Sequence, residues 1–199
     1  MGGKPLPYDS VVEYLESTGS EYIDTGITCR SYDGITAAFQ VNAAQEGGNA
    51  YFFYGEGRSF SRENMELYTA SDKTMISFLI QGNTDITLDY TQKFNIDVRN
   101  KIATFTDDLG QTIGIANRSK SPDYTCSYTM AVYATHRANI IKGKHIRCFK
   151  FQIIQDSVIV IDLIPVRVGQ VGYMYDRVSG QLFGNAGTGA FIVGPDVNN

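Results

Sequence analysis

Tryptophan is absent from this chain, and histidine (2), cysteine (3) and proline (5) are scarce among its 199 residues. Each shortage excludes something. Cys29, Cys126 and Cys148 are odd in number and far apart, with no Cys-x-x-Cys pair, so neither a disulfide framework nor a zinc site is expected. Buried, reduced thiols are the simpler reading. His136 and His145 stand in no metal-ligand or nucleophile motif, which removes the usual zinc and triad arrangements. No window approaches the run of about 20 apolar residues that a membrane-spanning helix needs. There is no basic excess either. The net charge is −4 and the pI near 5.1, whereas nucleic-acid binding relies on a cationic footprint. Met1 to Tyr8 lacks the apolar core of a signal peptide. Folding in a cytoplasm, or removal of a leader, is the expectation.

What the chain does have is Tyr (13), Phe (11) and Gly (20), a mixture suited to half-buried pleated surfaces joined by tight turns. Strand-like segments follow one another with little interruption: Val12–Leu15, Tyr22–Ile27, Ile35–Val41, Tyr51–Tyr54, Met65–Tyr68 and Met75–Ile80. Only Arg62–Tyr68 competes, as a single helical turn. Phe94–Arg99 alternates apolar and polar at every step, which puts Phe94, Ile96 and Val98 on one face. Asn100-Lys101 then turns the chain into Ile102–Thr106, a predicted hairpin. Asp107–Gly110 makes a second turn before Gln111–Ile115. Tyr128–Tyr133 and His145–Ile154 are further strands. In the second, parity slips near Arg147-Cys148, with Ile146 and Cys148 on one face and Phe149, Phe151 and Ile153 on the other, the signature of a β-bulge. After the turn Gln155–Ser157, Val158–Val166 reads as a central strand ending where Pro165 removes a ladder donor. Many short strands spaced by turns predict an all-β, two-sheet antiparallel jelly-roll sandwich over residues 12–194, with an extended N-terminal arm (1–11) and a short tail (195–199).

Two stretches carry a resemblance. Glu13–Ile27 (EYLESTGSEYIDTGI) resembles the opening, and Tyr173–Phe191 (YMYDRVSGQLFGNAGTGAF) the closing segment, of concanavalin A-like, laminin G-like domains found in bacteriophage structural proteins and in surface proteins of gut bacteria. Ile146 to Pro165, ending in DLIP, is similar to the late strand pair of that family. The likeness implies a jelly roll whose first and last strands lie near each other, and a task in adhesion, carbohydrate binding or particle architecture. A virion component folded in the host cytoplasm fits the missing leader, and a bacterial surface protein is the alternative. The glycines of Gly184–Gly189 echo a phosphate-binding loop, but without a strand–loop–helix context they read as turn structure.

Catalysis on this fold would need two acids about 5–9 Å apart, which alternate strand positions supply. No such run exists. Glu63 and Glu66 are three apart, Asp107 and Asp108 lie in a turn, and Asp85 and Asp89 read as a solvated side. The chain is therefore read as non-enzymatic. The basic window Arg137, Lys142, Lys144, His145, Arg147 and Lys150 reads first as a solvated strand face. For a glycan site the candidates are the aromatic run at Tyr51–Tyr54 (Tyr54 above all) with Arg58 beyond it, and Tyr133, His136, Arg137 and Asn139 in the segment joining two late strands. No cofactor is expected. A single structural calcium held by loop carboxylates and carbonyls stays open, as in some relatives, although no EF-hand ligand ladder is visible. The partners implied are other virion subunits or host-surface polysaccharide, with a homo-oligomer among the assemblies, and neither nucleic acid nor membrane.

Overall fold

The computed structural model describes residues 5–41, 50–56, 64–69, 75–78, 84–87, 89, 91–120, 123–136, 140–142 and 145–197. Among them there is no helix. The chain runs through β1 (Ser10–Val11), β2 (Leu15–Glu16), β3 (Ile23–Arg30), β4 (Gly34–Val41), β5 (Tyr51–Glu56), β6 (Asn64–Thr69), β7 (Met75–Phe78), β8 (Thr84–Thr87), β9 (Phe94–Arg99) and β10 (Ile102–Thr106). It continues through β11 (Thr112–Asn117), β12 (Thr125–Val132), β13 (Ala134–His136), β14 (Ile140–Lys142), β15 (Ile146–Gln155), β16 (Val158–Val168), β17 (Val171–Asp176), β18 (Leu182–Phe183) and β19 (Ile192–Val193).

The larger sheet has 11 strands, with the path β11-β10-β9-β4-β15-β16-β17-β18 and with β1, β2 and β19 attached beside it. The second has 6 strands in the order β3-β12-β5-β6-β7-β8, and β13 and β14 form a separate hairpin. The pairings are antiparallel throughout. The chain passes back and forth between the sheets, which makes the architecture the two-sheet jelly-roll sandwich expected. Alternation drives it. Ile35, Ala37 and Phe39 of β4 and Phe94, Ile96 and Val98 of β9 are buried, and their neighbours in sequence face outward. The core is aromatic. Phe39 has Phe52, Phe53, Phe94 and Phe151 within ring-centroid distances of 5.2–6.5 Å, each fully buried ring contributing roughly 1.5–3 kcal/mol of transfer free energy.

Two expectations need correction, the helical turn and the strand end at Pro165, and two gain detail. Met65–Tyr68 belongs to a strand, not a helical turn, because Leu67 pairs with Phe53 and Glu66 with Tyr54 in the ladder. The bulge in β15 falls between Cys148 and Lys150. It places Ile146, Cys148, Phe151 and Ile153 together in the core, while Phe149 turns away to meet Tyr14 edge-on at 5.6 Å. Pro165 does not end its strand. β15 pairs with β16 up to Leu163, and β1 takes over the same edge at Val166 and Arg167. Pro165 sits at that change of partner, where a missing N–H costs no ladder bond. Finally, the end of the extended N-terminal arm, residues 10–11, is held on the larger sheet. Both residues pair with β16, and Val12 bridges Asp196 of the tail.

The opening and closing motifs form one unit. The Glu21 carboxylate accepts hydrogen bonds from the Thr18 amide and hydroxyl, shaping the loop before β3. The closing loop docks on it: Tyr22 N–H donates to the Asn185 side chain at 3.2 Å, while Ala186 N–H and Thr188 N–H donate to the carbonyls of Tyr22 and Ser20. A Cβ on Gly187 would lie 2.1 Å from the Ser20 carbonyl oxygen, so this glycine is required by close approach. The phosphate-loop echo is thus a structural clasp.

Candidate functional site

The outer face of the larger sheet holds the candidate site. On β4 the outward residues include Gly34 and Thr36. Register pairs Ile35 with Val98 and with Ile153, so Gly34 lies between Arg99 of β9 and Ile154 of β15. Ile154 in turn pairs with Ile159 of β16. A glycine in the middle of this row leaves a depression. A Cβ there would stand 3.0 Å from the Arg99 Nη1 atom and 3.2 Å from the Ile154 Cβ.

Two hairpin turns raise the rim. Asn100 and Lys101 turn β9 into β10 with φ of 49° and 63°, and Asp156 and Ser157 turn β15 into β16 with φ of 50° and 65°. Such paired positive φ values mark two-residue turns whose twist suits a hairpin. Tyr32, 41% exposed, completes the rim. The result is a cleft of about 530 Å³ lined by Tyr32, Gly34, Arg99, Gln152, Ile154 and Ile159 together with the two turns. Ile154 and Ile159 give it an apolar floor, and Arg99 and Gln152 a polar side.

The rim is braced. Buried Asp33 accepts from the Arg30 amide at 2.7 Å, from Arg30 Nε at 2.9 Å and from the Gln155 amide at 2.8 Å. Arg30 also reaches Asp156 at 3.2 Å and lies over the Tyr32 ring at 4.7 Å. Hydrogen bonding to Asp33, then to Asp156, pushes the Arg30 pKa further above its ordinary value. Arg99 contacts Asp97 at 2.8 Å, and Asp97 accepts the Thr36 hydroxyl at 2.9 Å. The carboxylates beside the cleft are therefore each engaged by an arginine.

Of the site residues named from sequence, Tyr54 and Tyr133 do not line this cleft. Tyr54 lies on β5 and Tyr133 directly follows the end of β12, whose Ala131 pairs with Tyr54. Both are buried, at 1% and 0% exposure, so neither offers a ring face to a sugar. The Tyr133 hydroxyl donates to the Leu15 carbonyl at 2.9 Å, and its ring meets Phe191 at 5.1 Å. Its φ of 72° is a strained value for a bulky residue. Tyr133 is thus a tie between β12, β2 and the closing segment. The backbone of His136 ends β13, while Arg58, Arg137 and Asn139 lie outside the described residues. In the basic window, Arg147 is engaged by Glu16 at 2.7 Å and lies over Tyr14.

The three cysteines are buried and free. Burial pushes the Cys126 thiol up to about 11 and raises Cys29 and Cys148 well above the ordinary value, so the thiolate that reacts with electrophiles is suppressed. Among the described residues no group of three His, Cys, Asp or Glu side chains is placed to hold a metal.

Compared with known proteins, the chain matches no family model. No curated protein matches it significantly.

Proposed function

We propose that this chain is a non-enzymatic, lectin-like attachment domain of a phage virion, holding a saccharide of the host surface in the outer-face cleft. The cleft carries the reading: an apolar floor of Ile154 and Ile159, a hydrogen-bonding wall of Arg99 and Gln152, and Tyr32 at the rim. A pyranose has the same two-sided character, apolar across its ring face and polar at its edges, and preformed sites of this make-up are typical of small-ligand binding. The arginine-engaged carboxylates favour binding over acid–base chemistry. Virion membership is supported by the resemblance of the opening and closing motifs. Labelled protein is expected to bind gut-bacterial cells or their purified capsular polysaccharides saturably, with and without added calcium. Tyr32→Ala and Arg99→Ala should abolish that binding while leaving the thermal melt near the wild-type curve. Binding that survives both changes would remove the cleft from consideration.

A second reading, a purely structural subunit-contact module, is favoured by β11. This strand ends the larger sheet, exposes Ile113 and Ile115 beside an 84% exposed Leu109, and carries no charged residue or proline over Thr112–Asn117. An exposed apolar stripe of this kind invites association with another subunit. A concentration-dependent oligomer that dissociates on Ile115→Lys, in protein that binds no saccharide, would favour this reading.

A further inference from the structure

Beside the cleft, two residues further into β9, β4 and β15 on the same face, the register aligns a continuous polar row. Thr104 of β10 pairs with Asp97 of β9, Asp97 with Thr36 of β4, Thr36 with Gln152 of β15, and Gln152 with Asp162 of β16. Arg177, just past β17, closes the row by donating its amide to the Asp162 carbonyl at 2.9 Å. The side chains are ordered along it. The Thr36 hydroxyl donates to Asp97, the Gln152 amide to Asp162 at 2.9 Å, and Arg177 Nε to Asp162 at 2.9 Å.

From this row we infer that the site takes an uncharged, linear oligosaccharide lying across the strands and longer than the cleft itself. The inference rests on the saccharide reading above. Three observations carry it. The row spans five strand gaps of about 4.8 Å, roughly 24 Å in all, the length of about five pyranose units each advancing near one strand spacing. It runs parallel to the row that floors the cleft, so a chain resting its ring faces on Ile154 and Ile159 turns its hydroxyl edge toward Gln152 and its neighbours. Its charges cancel locally, Asp162 against Arg177 at 2.8 Å and Asp97 against Arg99 at 2.8 Å. A charge-neutral, hydrogen-bonding surface complements an uncharged polyhydroxyl chain and gives an anionic one no net attraction.

The test is titration calorimetry of the full chain with linear neutral glycans of two to six residues in gluco, manno, galacto, xylo and N-acetylated series, beside an anionic polysaccharide. Affinity for at least one neutral series is expected to climb with length to four or five residues and then level off. It should be insensitive to salt between about 50 mM and about 500 mM. Arg177→Ala, at an exposed side chain remote from the cleft, should weaken the longest ligand about tenfold and leave the disaccharide unchanged. Length-independent affinity, unmoved by Arg177→Ala, would overturn this inference and leave the cleft reading standing. Salt-sensitive binding of the anionic polymer alone would overturn the uncharged assignment. No binding by any member of the panel would overturn both.

Discussion

Tyr133 shows how one residue serves the fold in place of a ligand. Its hydroxyl lies 2.9 Å from the Leu15 carbonyl in a fully buried setting, and burial pushes its pKa well above the ordinary tyrosine value. Removing the hydroxyl strands a carbonyl away from water, which costs about 1–3 kcal/mol. Tyr133→Phe should lower the urea midpoint by a corresponding amount and leave saccharide affinity unchanged. Loss of binding without loss of stability would return Tyr133 to the site.

At the scale of elements, the second residue of each turn beside the cleft, Lys101 and Ser157, is held at a positive φ that it does not prefer. Ser157 is exposed and adopts φ of 65°, a region that costs an L-residue about 1–2 kcal/mol and glycine almost nothing. Part of the gain is returned through the extra freedom glycine gives the unfolded chain. Ser157→Gly is expected to stabilise the protein by about 0.5 kcal/mol, read as a raised melting temperature. A lowered one would mean that the Ser157 side chain supports the turn. The neighbouring Lys101 is no equivalent target, because its ammonium pairs with Asp123 at 2.6 Å.

Over the whole molecule, the ends of the sandwich are clasped by buried carboxylates. Burial alone would raise Glu21, but the Thr18 and Ser20 hydrogen bonds bring it below the usual 4.5. Asp176 likewise lies below 3.8, burial being outweighed by hydrogen bonds from Ser179, Asp162 and Val178. A folded-state value below the unfolded one gives stability that is complete above the unfolded value and lost as pH falls through the folded one. Stability should therefore be flat with respect to these groups above about pH 4.5 and decline below it. Glu21→Gln and Asp176→Asn together should flatten that acid limb in urea unfolding. An unchanged limb would place acid sensitivity elsewhere. The same clasp makes Gly187→Ala costly, by roughly 1–3 kcal/mol, since backbone stands where the methyl would go. A neutral result in the same unfolding assay would show that the loop can shift.

Sequence alone determined the β class, the inward faces of β4 and β9, the bulge in β15 and the turns at Asn100 and Asp156, because period-two burial and turn chemistry are local. It could not tell that its candidates Tyr54 and Tyr133 are buried, since an aromatic residue in an extended segment reads the same whether its ring is covered or open. Nothing local reveals that Tyr54 on β5 and Tyr133 just past β12 are covered. The cleft was not legible either. Tyr32, Gly34, Arg99, Gln152 and Ile159 are spread over more than 120 positions and meet only because β4 lies between β9 and β15. That neighbourhood, and with it the polar row from Thr104 to Arg177, depends on which strands pair and in what register, a choice made by burial of the whole aromatic core.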